Sequence, residues 1–274
     1  MEEGQQQPER PASRGELFSS VVTAYTINLL RAVEAMAAHT AMMGALPVIA
    51  VRLRQVPPEV LTQVPDDLKA ALQMVTISHD EYDAFVYVSN VSMLVYHTTL
   101  FDTFIQDTIE FLLCLHPQSI RESAVSFDRV LKANSREELL NTAIKAKVRD
   151  LGFESFSERL RWLRKRFGVD CKLSEEASAE IAHFGDVRNS IVHDQGFFDF
   201  FIDGKGEVAL QHRACSRHPT VVTRQDVSKA RSAFTQAVVS IATAVMEQVL
   251  KEAPSQPVAR MLNELRDGTS SAQP

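Results

Sequence analysis

The sequence predicts an all-α protein: an antiparallel helix bundle with a small β-hairpin inserted before its last long helix. Three observations predict it. Leu94, Thr98, Phe101, Ile105, Ile109 and Leu112 recur every three or four residues and keep to one face. A second stripe, through Val227, Ala230, Phe234, Ala237, Ile241, Val245 and Val249, runs to Leu250. Between the two stripes, FFDFFID, Gly204-Lys-Gly206 and EVAL read as two short strands around a tight turn.

Residues 1–14 are polar and Pro-rich, which predicts a disordered tail. A helical pattern starts near Glu16, with Val21, Tyr25, Leu29 and Ala32 in phase, and Gly44 and Pro47 are expected to break or kink it. Residues 15–77 form an N-terminal helical extension that includes a Pro-rich loop at 56–67 and a short helix through Val75. Residues 78–252 form the main helical domain. A single long helix is expected from Ser78 to Leu115, ended by His116-Pro117. One or two shorter helices are expected over 119–152, where Ser135 and Glu138 have capping-box spacing. Ser157 is the expected cap of ERLRWLRKRF, which stops before Gly168. Ser174-Glu-Glu opens the next helix, which runs towards Gly196. Residues 253–274 are expected to be a mostly flexible tail with a weak helix at 258–266.

Composition limits the function classes. The 274 residues are long enough to bury a core, and the net charge of -6 means that any nucleic-acid site must be a local patch. Cys114, Cys171 and Cys215 form no Cys-x-x-Cys pair, so neither a disulfide framework nor a zinc knuckle is indicated, and a reducing cytoplasm is expected. Cys215-x-x-His218 has no second pair at zinc spacing, and no His-x-x-x-His motif occurs, so no metal and no cofactor are expected. The runs Ala35–Val51 and Ala84–Phe101 are interrupted by Gly, Pro and polar residues and read as core helices, which predicts no membrane partner.

The segment that carries chemistry runs from Ile181 to Gly196. On a helix, Ala177, Ile181, Phe184, Val187, Ile191 and Val192 share one arc, and Arg188 falls within it. A guanidinium on an apolar face needs a carboxylate, a carbonyl or a ligand, and Asp102 is a candidate carboxylate. Asp186, Asn189 and His193 lie on the other side. Arg188 and His193 are about 140° apart on a straight helix, so they meet only through distortion, or across a cleft or a dimer interface. A second candidate is the basic run Arg159, Arg161, Arg164, Lys165 and Arg166 with Trp162, which reads either as a weak RNA-binding patch or as a solvated face.

Arg188-Asn189-x-x-x-His193 resembles the Arg-x4-to-6-His motif of the HEPN superfamily. YHTTLFDTFIQDTIEFLL and RDLGFESFSERLRWLRKRFGV are similar to the stretches that precede it in abortive-infection members, so the likeness covers roughly residues 80–250. The resemblance implies a metal-independent endoribonuclease acting in phage defence or stress response, with the site shared between the protomers of a homodimer. The apolar stripe over 227–249 would serve as core or as that dimer's contact. In the implied mechanism a ribose 2′-hydroxyl attacks the adjacent phosphate. His193 acts as general acid or base, Arg188 holds the phosphate, and Asn189 orients either one. Many relatives lack catalysis, so the same resemblance also allows a non-catalytic RNA-binding or dimerisation module.

Overall fold

The computed structural model describes residues 12–54, 65, 79–120, 133–193, 198–202, 208–212, 221–253 and 256–270. The chain is all-α in character. Its helices are α1 (Arg14–Arg54), α2 (His79–Leu115), α3 (Arg136–Gly152), α4 (Phe156–Phe167), α5 (Glu175–His193), α6 (Arg224–Ala244) and α7 (Gln256–Ser270). The strands β1 (Phe198–Ile202) and β2 (Val208–His212) pair antiparallel, with Phe200 opposite Leu210. The expected short helix before Val75 and the loop holding Cys215 and His218 lie outside the described residues.

Local sequence explains the helix ends. α1 is not broken at Gly44 or Pro47, where a break or a kink was expected, and continues to Arg54. α2 ends where His116-Pro117 begins a 3-10 turn. Ser135 caps α3 by accepting from the Glu138 backbone N–H at 3.1 Å, while the Glu138 carboxylate reaches back to Asn134 N–H rather than to the cap itself. The cap of α4 is Ser155, two residues before the expected Ser157. It forms a reciprocal box, accepting from Glu158 N–H while Glu158 Oε2 accepts from Ser155 N–H at 3.2 Å. Gly168 ends α4 at φ 75°, a left-handed conformation that a Cβ disfavours. Ser174 caps α5 through Ala177 N–H. The six residues after α6, Val245–Leu250, form a π-helical stretch that closes on Lys251 at φ 55°.

The chain divides into two compact units, residues 1–27, 99–183 and 231–274 in one, 28–98 and 184–230 in the other. In the first, Phe101 stacks on Phe234 with centroids 4.8 Å apart and meets Phe156 at 5.2 Å. Tyr25 packs against Phe104, Phe18 against Phe111, and Val258 and Leu262 bury one face of α7. Burial pushes the Tyr25 hydroxyl far above its ordinary range. In the second unit, Leu94, Phe184, Val222, Val227 and Ala230 are buried, and Asn90 donates to the Val222 carbonyl at 3.2 Å.

Among the described residues, Arg224–Leu250 is long and apolar enough to cross a membrane by length and composition, and 61% of its apolar window is buried inside the protein. The heptad-like spacing of its buried positions is that of a core helix.

Candidate RNA-contact site

α5 carries the motif. Ala177, Ile181 and Phe184 are buried along one face, as their spacing requires. The face loosens towards the helix end: Val187 and Ile191 are half-buried and Val192 is 46% exposed, so the apolar arc does not extend to Val192 as expected. Arg188 sits at this transition, half-buried. Its Nη1 donates to Asn189 Oδ1 at 3.0 Å, whereas its Nε is buried with no acceptor. Asp186 and Asn189 are exposed. His193 is the last residue of the helix, and its side chain lies outside the described residues.

The helix stays α-helical from Glu175 through His193. On a regular helix, positions five residues apart are about 140° apart around the axis.

Asp102 is paired with Arg159. Its Oδ1 accepts from Arg159 Nη2 at 2.8 Å, with Asp102 29% exposed and Arg159 only 8%. The carboxylate named as a candidate for Arg188 thus holds Arg159, and Arg159 is itself buried, so it is no part of a surface patch. Its position explains why: in α4, Arg159 lies on the buried side with Phe156 and Leu163, at spacings of three and four. Its Nε and Nη1 are buried without acceptors, so the pair is incompletely satisfied.

The rest of the basic run is divided. Arg166 Nε donates to the Ser119 carbonyl at 2.7 Å, which ties α4 to the turn after α2, and the side chain is half-buried. Arg164 pairs loosely with Asp170 at 3.4 Å, both well exposed, a contact worth little in water. Arg161 and Lys165 are exposed. The run is therefore part structural tie and part solvated face, not one five-residue surface.

Two features had no counterpart in the sequence reading. A cavity of about 540 Å³ is lined by the polar side of α6, including Gln236, Ser240 and Thr243, by Glu247 of the π-helical stretch that follows, and by Asp170 and Lys172. Gln248 holds one wall, accepting from Asp170 N–H at 2.7 Å and donating to its carbonyl at 3.3 Å. The signal was present as a polar row of spacing four, three, four opposite the apolar stripe, a row that reads as an ordinary solvated face until α7 is placed. A smaller groove of about 340 Å³ lies between α2 and α3. Burial, reinforced by the charge of Asp170, pushes the Cys171 thiol up to about 12, so it is not a thiolate nucleophile at neutral pH. Among the described residues no group of three or more His, Cys, Asp or Glu side chains is placed to hold a metal ion.

No family model matches the chain, and no match to it was found among curated proteins or among solved structures.

Proposed function

We propose that this chain is a HEPN-like protein that acts on RNA in the cytoplasm, with Arg188 as the residue that engages a backbone phosphate. The observation that carries the reading is the state of that guanidinium: half-buried and, among the described residues, held by Asn189 Oδ1 with no carboxylate beside it. A buried Nε–H with no acceptor favours an incoming anion, and a phosphate oxygen fits a guanidinium fork. Asn189 accepts from the arginine and so orients it towards that ligand.

In this reading the helices form an antiparallel bundle with a hairpin before the last long helix, and the chain acts as a homodimer. The continuous α5 supports a shared site, because one helix does not turn Arg188 and His193 to the same side. Cleavage then pairs Arg188 of one protomer with His193 of its partner. His193 takes the proton of the ribose 2′-hydroxyl, the 2′-oxygen bonds to phosphorus, and the bond to the 5′-oxygen breaks as that oxygen gains a proton. The products are a 2′,3′-cyclic phosphate and a 5′-hydroxyl, and no metal takes part.

The same 140° separation favours a second reading, in which Arg188 binds RNA and no cleavage occurs. Incubation of purified protein with end-labelled RNA in EDTA separates the two. The enzyme reading expects cyclic-phosphate products that Arg188→Ala and His193→Ala both abolish while the fold is kept. Binding without products leaves only the second reading, and cleavage that survives His193→Ala removes the proposed mechanism.

A further inference from the structure

Phe153 is the most exposed large apolar side chain among the described residues, at 85%. It follows Gly152, the last residue of α3. Lys145 and Arg149 precede it by eight and four positions and are both exposed, so the three form one row along the helix, cation, cation, aromatic. Beside this row lies the groove of about 340 Å³, lined by Lys145, Arg149, Gly152 and Phe153 from α3 and by Gln106 and Glu110 from α2. Arg149 is not committed elsewhere, since its contact with Asp150 is 3.9 Å long and both side chains are more than 60% exposed. Gln106 reaches over Gly152, its Nε2 within ordinary contact distance, 3.5 Å, of where a Cβ would stand.

This chemistry has a specific complement. A flat exposed ring is a stacking platform for an unpaired base, which a duplex does not present. Two cations spaced one helical turn apart suit successive phosphates. A primary amide and a carboxylate in the groove supply the mixed donor and acceptor set that reads the edge of a base, with the carboxylate accepting from ring N–H or amino groups. The carboxylate also repels phosphate, so it is the base that enters the groove and the backbone that follows the cations. A protein partner is the alternative occupant of an exposed phenylalanine, but the two cations and the base-sized groove beside it favour nucleic acid.

We infer that the Lys145–Arg149–Phe153 row, with Gln106 and Glu110, is a binding surface for single-stranded RNA, with one unpaired base stacked on Phe153. The inference rests on the RNA reading above and names the substrate class as unpaired strand. Its test is fluorescence anisotropy of the full chain with a labelled single-stranded RNA and with the same sequence as a duplex. Phe153→Ala should weaken single-strand binding roughly ten-fold, leave duplex binding unchanged, and be rescued by Phe153→Trp. Arg149→Gln and Lys145→Gln should each flatten the salt dependence of log K by about 0.7. Phe153 is exposed, so the variant keeps its fold, and an unchanged melting curve verifies this. If the wild type binds RNA and Phe153→Ala binds it equally, the inference falls and the RNA reading stands. If the wild type binds neither form, both fall. A change in oligomeric state on Phe153→Ala, with RNA affinity intact, would make the row a protein contact and overturn the inference.

Discussion

A guanidinium nitrogen buried without an acceptor costs about 1–3 kcal/mol, so two arginines in that state need different explanations. Arg159 has Asp102 at 2.8 Å and is a structural pair. Arg188 has only the Asn189 amide oxygen, and its remaining capacity is what the proposed function uses. Removing one partner of a buried pair leaves the other charge stranded. Asp102→Ala should therefore destabilise the fold by roughly 3 kcal/mol, towards the low end of such losses because Asp102 keeps part of its surface in water. Urea unfolding measures this, and a loss under about 0.5 kcal/mol, the size of a surface effect, would show that the pair is not a structural tie. The sequence announced that an arginine on an apolar face needs a partner, but did not say which arginine would receive Asp102. Arg159 and Arg188 are both offset by three or four from apolar neighbours, and only tertiary packing assigns the single carboxylate.

The elements were legible where the period was long and the punctuation chemical. The stripe on α2 and the His116-Pro117 stop gave that helix to within a residue at its start and its end, and Gly168 ended α4 as expected. Gly44 and Pro47 do not break α1, because helix propensity is a weak local term that tertiary context overrides, and the helix runs on to Arg54. The cap of α4 was misplaced by two residues, since Ser155 and Ser157 are both good caps and the position of Glu158, three after Ser155, decides between them. Ser155→Ala should accordingly cost about 1 kcal/mol, and Ser157→Ala only a few tenths, in thermal unfolding. On α2, burial and then the neighbouring Glu110 raise the Asp107 carboxyl above its ordinary range. A carboxyl raised by folding disfavours the native state as pH climbs from the unfolded value through the folded one, because the folded chain then holds the proton that the unfolded chain has released. Asp107→Asn should thus raise the melting temperature at neutral pH, with the gain vanishing near pH 3, below the ordinary aspartate range. A gain that is equal at both pH values would refute the assignment.

For the whole molecule, the composition excluded little beyond a uniformly basic surface, and the helix period gave the all-α character. The motif was legible, and so was the angle its spacing implies: α5 stays helical to His193, and positions five apart on such a helix are about 140° apart. A site shared between two protomers restores their meeting, and this has a consequence for mixtures. Arg188→Ala and His193→Ala, each inactive alone, should regain cleavage when unfolded together and refolded, because one of the two composite sites in the mixed dimer is intact. No recovery, in a sample shown to contain mixed dimers, would exclude the shared site.

The measurement closest to the central claim is the affinity of the wild type and of Arg188→Ala for one labelled RNA, in EDTA and at fixed salt. A phosphate held by Arg188 through charge-assisted hydrogen bonds predicts a loss of roughly ten-fold or more in the variant, with melting behaviour preserved. Equal affinity of the two proteins, or no RNA binding by the wild type, would contradict it.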